Sequence, residues 1–199
     1  MTFSLPDIIV FGGTFDPPHS GHLECLQSAL KRFPQSEFLI MPAALAPVIG
    51  TKTPSQFPFA ERLRLCQNMF GQLKSLRVKV SDFELDRPQP NYTFNTLQAL
   101  QENFPGKTIG FLMGLDQFKN LDRWKNYREL LLQFALIVAR RNEVVEEKIQ
   151  SDRYQDWMEK FIEKCGCDIR EIKGLYYLND VNSPESSSEI RQNLQRIHG

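Results

Sequence analysis

The sequence has no excess of charge of either sign and no long apolar run. Lysine and arginine total 24, and aspartate and glutamate also total 24. General nucleic-acid binders and membrane-surface binders are usually basic, so this balance argues against both classes while leaving room for a local basic site. No apolar run reaches the length that crosses a bilayer. We therefore expect neither a nucleic acid nor a membrane as partner.

Targeting signals and metal-binding cysteine patterns are also lacking. Residues 1–6 have neither the basic segment nor the long apolar segment of a signal peptide, which predicts a cytoplasmic protein with reduced thiols. The cysteines lack the two C-x2-4-C pairs typical of zinc sites. We interpret them as structural or incidental thiols and predict no protein-bound metal. These cysteines are Cys25, Cys66, Cys165 and Cys167.

Buried strands alternate with amphipathic helices along the chain. Apolar runs predict strands at 7–11, 37–41, 76–83, 108–113 and 134–139, and one or two short strands within 169–178. Helical spacing predicts helices at 21–33, 59–70, 93–104 and, in pieces, 115–132, then a charged helix at 143–164 and a last helix at 187–197. Asn91 and Thr93 are the candidate N-caps of the third helix.

This alternation predicts an α/β fold, a Rossmann-like doubly wound parallel sheet of five to six strands with helices on both faces. The length fits one domain over residues 1–199. Ligands of such sheets bind beyond the carboxyl ends of the strands, near the switch in strand order. We therefore expect functional residues after Phe11, Met41, Met113 and Ala139.

The most informative segment, GGTFDPPHSGH at residues 12–22, follows the first strand and opens the first helix. Gly12 and Gly13 let the backbone turn tightly and approach a ligand closely. Free N–H groups at a helix start favour an anion. His19 and His22 are spaced to share one face of the first helical turn. Imidazoles placed there can donate hydrogen bonds to phosphate oxygens as charge builds in a transition state.

These histidines have two other interpretations. They could be a turn histidine and a helix-surface histidine, or a pair of metal ligands. The chain has only three histidines, and two of them lie in this turn. A further ligand at metal-site spacing is lacking. The pattern therefore favours phosphate contact.

A second candidate anion site lies near the end of the chain, in SSSEIR at residues 186–191. The hydroxyls of Ser187 and Ser188 stand at the start of the last predicted helix, and Arg191 lies one turn in. Such a helix start can hold the outer phosphates of a nucleoside triphosphate. The alternative interpretation is a serine N-cap with a solvated arginine.

Residues 12–22 resemble the G-G-T-F-D-P-x-H-x-G-H signature of bacterial nicotinate-nucleotide adenylyltransferases, which belong to the nucleotidyltransferase superfamily with the H-x-G-H motif. Residues 186–191 are similar to that family's S-S-T-x-I-R, with Ser188 in place of threonine. Residues 84–97 resemble its E-x-x-R…S-Y-T-x-x-T-L, with Asn91 in place of the usual serine.

Two further segments extend the resemblance, which runs from residue 8 to residue 191. Gly114-x-Asp116 followed by Trp124 resembles the family's G-x-D…W segment, and residues 136–141 resemble its strand-plus-arginine segment. The other interpretations are a strand-end turn, a core tryptophan and a solvated basic pair. Their occurrence together and in family order favours the resemblance.

The resemblance implies an adenylyltransferase of NAD biosynthesis, which joins ATP and nicotinic acid mononucleotide to give nicotinic acid adenine dinucleotide and pyrophosphate, with Mg²⁺ carried by ATP. The implied catalytic residues are His19, His22 and Arg191. The implied ATP-binding residues are Gly12, Gly13, Thr14, Phe15, His19, His22, Gly114, Asp116, Ser187, Ser188 and Arg191. The implied acceptor-binding residues are Lys52, Tyr92, Thr93, Trp124 and Arg140. A homodimer is one assembly that the sequence leaves open.

One departure from the family pattern concerns the acceptor. The family usually has P-x-x-x-P-P-H-K after the second strand, whereas residues 42–52 are PAALAPVIGTK, without the histidine and with Lys52 displaced. Two related activities therefore stay open as alternatives. One is an adenylyltransferase with another acceptor, such as nicotinamide mononucleotide, and the other is a cytidylyltransferase. From another class, a non-catalytic nucleotide-binding homologue is the rival. A dehydrogenase is disfavoured because no G-x-G-x-x-G follows the first strand.

Overall fold

The computed structural model describes residues 5–45, 55–141, 159–164, 166–168, 170–181 and 190. Its strands are β1 (Ile8–Gly13), β2 (Glu37–Pro42), β3 (Val78–Val80), β4 (Ile109–Gly114), β5 (Ala135–Arg141) and β6 (Leu175–Val181). Its helices are α1 (Ser20–Arg32), α2 (Phe59–Gly71), α3 (Thr93–Asn103), α4 (Leu115–Phe118) and α5 (Tyr127–Gln133), with a 3-10 turn at Leu121–Arg123. Residues 159–164 are also helical.

The six strands form one sheet in the order β3-β2-β1-β4-β5-β6, and every neighbouring pair is parallel. The chain builds outwards from β1 to β3 and then continues with β4 on the other side of β1. The strand order therefore reverses between β1 and β4, which opens a crevice beyond their carboxyl ends. This topology confirms the predicted Rossmann-like parallel sheet.

The sheet is apolar on both faces, as central parallel strands usually are. Side chains alternate along β1, so Ile9 and Phe11 face one side and Val10 faces the other. Leu26 of α1 joins the first cluster, and Leu97 of α3 joins the second. Helices thus cover both faces, as predicted. None of the helices within the described residues is long and apolar enough to cross a bilayer.

Three local predictions were wrong. The third strand is Val78–Val80 rather than 76–83, because it pairs only with three residues of β2 and Leu76 is 96% exposed. The sixth strand, Leu175–Val181, runs beyond the predicted 169–178. The N-cap of α3 is Tyr92, not Asn91 or Thr93.

Two predicted helices fall wholly or largely outside the described residues. The helix at 187–197 has only residue 190 described, and of the helix at 143–164 only 159–164 is described. The structure therefore does not test the bounds of either helix.

The described cysteines are packing residues. Cys25 and Cys66 are buried, and Cys167 is partly buried. Burial raises the pKa of the Cys66 thiol to about 12, so this thiol stays protonated at neutral pH. Cys165 lies outside the described residues. No group of three histidine, cysteine or acidic side chains within the described ranges is placed to hold a metal ion.

Candidate active site

The crevice begins at the end of β1, where glycine is required by a neighbouring ring. A Cβ at Gly12 would lie 2.7 Å from Cε2 of Phe111 on β4. The Phe111 ring also packs edge-to-face on Trp124, with centroids 6.0 Å apart. At the next position, the Gly13 carbonyl accepts a hydrogen bond of 2.8 Å from the N–H of Ala43, just after β2. The end of β1 is thus fixed to both of its neighbours.

The turn after β1 is held by a buried aromatic ring. Phe15 has a φ of +48°, a left-handed backbone that is uncommon for a bulky residue. Its ring is buried against Phe11, Phe70 and His22, with centroid distances of 5.3, 5.9 and 4.8 Å. These contacts over-determine the unusual backbone, so the turn that faces the crevice has one defined shape.

His19 and His22 meet at the start of α1, as the three-residue spacing predicted. His19 is the N-cap and His22 the third residue of the helix, and their ring centroids lie 3.8 Å apart. Nδ1 of His22 accepts a hydrogen bond of 3.2 Å from the N–H of His19. In the neutral imidazole the other nitrogen, Nε2, therefore carries the proton. His22 is set up to donate a hydrogen bond through Nε2.

The ends of β4 and β5 bring further predicted residues to the same sheet edge. Gly114 pairs with Ala139 in register, so Arg140, the next residue of β5, lies beside the end of β4. Asp116 is the second residue of α4. Its carboxylate accepts a hydrogen bond from the amide of Gln117.

The segments that carry Tyr92 and Trp124, two residues predicted on the acceptor side, are in contact. Lys125, next to Trp124, places its Nζ 4.6 Å from the centre of the Tyr92 ring. Tyr92 precedes Thr93, which begins α3. This contact joins the segment of Trp124 to the start of α3, two segments that are far apart in sequence.

Arg62, the fourth residue of α2, is a buried polar centre that the sequence analysis missed. Only 2% of it is exposed. Nε donates to the carbonyl of Phe57 at 3.1 Å, and Nη1 donates to the carbonyl of Thr14 at 2.6 Å. Nη2 donates to the carbonyls of Ala43 at 2.8 Å and Ala44 at 3.4 Å. Burial lowers the pKa of Arg62, opposed by nearby carboxylates.

These carboxylates, Asp16 and Glu84, hold the same segments. Asp16, 3% exposed, accepts hydrogen bonds from the N–H groups of Gln56 and Phe57 at 2.8 and 2.9 Å. Glu84, 7% exposed, accepts one from the Thr96 hydroxyl at 2.7 Å and one from the N–H of Ala44. Burial raises the pKa of Glu84, although these two donors oppose the shift.

A sequence signal for Arg62 did exist. Arg62, Cys66 and Phe70 follow each other at four-residue spacing, so they share one face of α2. Cys66 and Phe70 are buried on that face. A charged residue in line with two buried ones indicates a buried partner network.

Several predicted site residues lie outside the described part of the chain. These are Lys52, Ser187, Ser188 and Arg191. The second phosphate motif and the displaced lysine therefore keep the status of predictions.

Comparisons with known proteins agree with this architecture. The model of the cytidylyltransferase-like family matches residues 10–193. A protein of Leptospira borgpetersenii serovar Hardjo-bovis (strain JB197), named probable nicotinate-nucleotide adenylyltransferase, is 33% identical over 139 residues, 68% of each chain. One of Idiomarina loihiensis with the same name is 29% identical over 189 residues, 94% of this chain and 88% of its own.

A solved structure shares the fold. Plasmodium falciparum nicotinic acid mononucleotide adenylyltransferase, complexed with APC, superposes with a TM-score of 0.63 over 94% of this chain and 83% of its own, at 20% identity. Together with the family match over most of the chain and the sequence relatives, the crevice and its paired imidazoles lead to one assignment. The chain belongs to the cytidylyltransferase-like family and, within it, to the nicotinate-nucleotide adenylyltransferases.

Proposed function

We propose that this chain transfers the AMP part of ATP to nicotinic acid mononucleotide, giving nicotinic acid adenine dinucleotide and pyrophosphate in NAD biosynthesis. The observation that carries the proposal is the pairing of His19 and His22 at the start of α1, with ring centroids 3.8 Å apart. They stand beside a glycine turn at the reversal point of the sheet, where nucleotides bind in such folds. The names of the two sequence relatives support the same substrates.

The reaction requires the two substrates to be aligned and does not require a general base. The acceptor phosphate is an anion at neutral pH, so its oxygen attacks the α-phosphorus of ATP without losing a proton to the protein. The new P–O bond forms as the bond from the α-phosphorus to the bridging oxygen breaks, and that electron pair leaves with pyrophosphate. The protein must hold the two substrates in line and neutralise charge.

The histidines supply that neutralisation in our proposal. Nε2–H of His22 donates to an oxygen of the α-phosphate, and His19 assists as charge builds. Gly12, Gly13 and the main chain of Thr14 and Phe15 offer close approach to the triphosphate at the helix start.

The remaining ATP contacts follow from the resemblance. Asp116 and Gly114 would bind the adenosine part. Ser187, Ser188 and Arg191 would hold the leaving pyrophosphate. Mg²⁺ would arrive with ATP, since it keeps several waters and needs few protein ligands.

The acceptor would bind on the side of Trp124, whose indole would stack near the pyridine ring. Tyr92 and Thr93 at the start of α3 would contribute hydrogen bonds, with Lys52 and Arg140 as cationic partners. The cytoplasmic location, the single domain over residues 1–199 and the homodimer stay predictions.

A pyrophosphate-release assay tests the proposal and its rivals. ATP, Mg²⁺ and each mononucleotide are supplied in turn, and CTP replaces ATP in a parallel series. We expect release with ATP and nicotinic acid mononucleotide. Preference for the amide mononucleotide or for CTP would favour the related transferases. Tight ATP binding without release for any acceptor would favour a non-catalytic homologue.

A further inference from the structure

We propose that Arg62 is a positioning residue. Its guanidinium fixes the turn after β1, called here the nucleotide turn, relative to the acceptor side of the crevice. The inference rests on the proposed function, because it concerns how the two substrates of that reaction are aligned. Arg62 itself donates only to backbone carbonyls of this chain in the described contacts, so it acts through other residues.

The guanidinium joins three segments that are distant in sequence. Through Thr14 it holds the turn after β1, through Ala43 and Ala44 the end of β2, and through Phe57 the entry to α2. A planar guanidinium offers five N–H donors in a fixed fork. A lysine ammonium is a compact point charge with three donors, so it cannot keep the same three directions.

The residues after β2 are in turn hydrogen-bonded to the segment that precedes α3 on the acceptor side. The N–H of Leu45 donates to the Asn91 side chain at 3.0 Å, and the N–H of Asn91 donates to the carbonyl of Leu45 at 3.0 Å. The Asn91 side chain also donates to the carbonyl of Glu84. Asn91 is followed directly by Tyr92 and Thr93. Hydrogen bonds and directly adjacent residues therefore connect Thr14, through Arg62, Ala44, Leu45 and Asn91, to the start of α3.

The charge of Arg62 is balanced within the same network. Asp16 and Glu84 are the acidic groups whose charge favours the guanidinium. Asp16 accepts hydrogen bonds from the N–H groups of Gln56 and Phe57. Because Arg62 donates to the carbonyl of Phe57, the entry to α2 is bonded to both side chains. Four hydrogen bonds to backbone carbonyls fix the position of the guanidinium, and a side chain that could not make them would leave buried carbonyls unsatisfied.

The kinetic consequence distinguishes positioning from general stability. Each substrate binds its own part of the crevice, but only the transfer step needs both parts in register. A displacement of about 1 Å between reacting groups can cost about 100-fold in rate. Loss of the Arg62 fork should therefore lower kcat by about 10- to 100-fold. The KM values for ATP and for the mononucleotide should change far less.

Arg62→Lys tests this, with two matched controls. Arg64→Lys changes an exposed arginine of the same helix, which pairs with Glu61. Phe33→Leu weakens the core at the other end of α1, where the ring packs on Tyr176, and so reproduces lost stability without touching the network. Both controls should keep the kcat of the unchanged protein at a temperature where all variants are folded. If Arg62→Lys does not fold, Arg62→Gln, which buries no charge, replaces it.

A second measurement does not depend on turnover. Hydrogen exchange of the amides of Ala44, Leu45 and Phe57 should quicken at least 10-fold in the Arg62 variant and stay unchanged in Arg64→Lys. If the unchanged protein releases no pyrophosphate, the proposed function falls and exchange alone decides on the network. An Arg62 variant with unchanged exchange, or with a normal kcat in an active enzyme, would overturn the positioning role.

Discussion

The proton of the His22 imidazole is placed by one hydrogen bond, which decides what the side chain can do. Nδ1 accepts from the N–H of His19, so Nε2 is left as the donor. The His19 ring, tilted by 45° with its centroid 3.8 Å away, limits how the His22 ring can turn. A donor fixed in this way needs no reorganisation when charge develops on a phosphate.

Replacing His22 should therefore act on turnover. We expect His22→Ala to lower kcat by about 10² or more, the scale of losing one transition-state donor. Gln27→Ala, on the exposed side of the same helix, is the matched control and should leave kcat unchanged. Steady-state pyrophosphate release measures both variants. Near-normal turnover of His22→Ala would contradict the role assigned here.

Asp7, at the amino end of β1 and far from the crevice, leads to a prediction about how stability depends on pH. Its carboxylate accepts hydrogen bonds from the N–H and the hydroxyl of Thr108, both at 2.8 Å. The Thr108 bonds, and to a lesser degree Lys107, lower the pKa of Asp7 below 3.8. A lowered pKa stabilises the fold above about pH 4, and that contribution is lost as the pH falls through the folded value.

Asp7→Asn should lower the melting temperature at pH 7 by a few degrees, since a partly exposed charge-assisted hydrogen bond contributes about 1 kcal/mol. The gap between the two proteins should narrow as the pH falls from about 4 towards 2. Thermal unfolding across this series is the measurement. A gap that is equally large at the acid end would contradict the assigned cause, and kcat at pH 7 should not change.

At the scale of elements, the end of β1 is built around the ring of Phe111. The close approach of Gly12 to that ring, and of the ring to Trp124, joins the nucleotide turn to the acceptor side by packing alone. A methyl group at position 12 must displace the ring, because real Cβ atoms essentially never come within 3.0 Å of another atom and the separation would be 2.7 Å.

Gly12→Ala should accordingly destabilise the fold by about 1–3 kcal/mol, the usual cost of overpacking. Gly71→Ala is the control, since a Cβ there would meet nothing within 4 Å. Combining Gly12→Ala with Phe111→Leu should recover part of the loss, which denaturant unfolding measures as a coupling energy. Strictly additive effects of the two substitutions would show that the ring is not the cause.

Elements with a strong local signal were predictable from the sequence, and those set by distant partners were not. The apolar run of β1 and the spacing of His19 and His22 are local, and the structure has both where they were expected. The short β3 depends on how much of β2 is available to pair with it. Asn91 was expected to cap α3, but its side chain is taken by Leu45 and Glu84.

The burial of Arg62 within the site could not be predicted from the sequence for the same reason. An arginine at the start of a helix is usually solvated, and its burial here depends on carbonyls from residues 14, 43, 44 and 57. Those partners come together only when β1, β2 and α2 are assembled. The four-residue spacing with Cys66 and Phe70 was the one available hint.

For the whole molecule, the reversal of strand order between β1 and β4 accounts for the position of the site. The strand order reverses there, and in parallel sheets of this kind ligands bind beyond the carboxyl ends of the strands at the reversal point. Glycines 12, 13 and 114 stand at those strand ends. The same topology places Arg140 beside the end of β4 through the Gly114–Ala139 pair.

The crevice of this protein, in our proposal, is where AMP moves from ATP to a pyridine mononucleotide. The most direct measurement is to incubate the full chain with ATP, Mg²⁺ and nicotinic acid mononucleotide, and to quantify the dinucleotide by mass and chromatography alongside pyrophosphate. We expect nicotinic acid adenine dinucleotide and pyrophosphate in equal amounts. Pyrophosphate without dinucleotide, or neither product under conditions where ATP binds, would contradict this proposal.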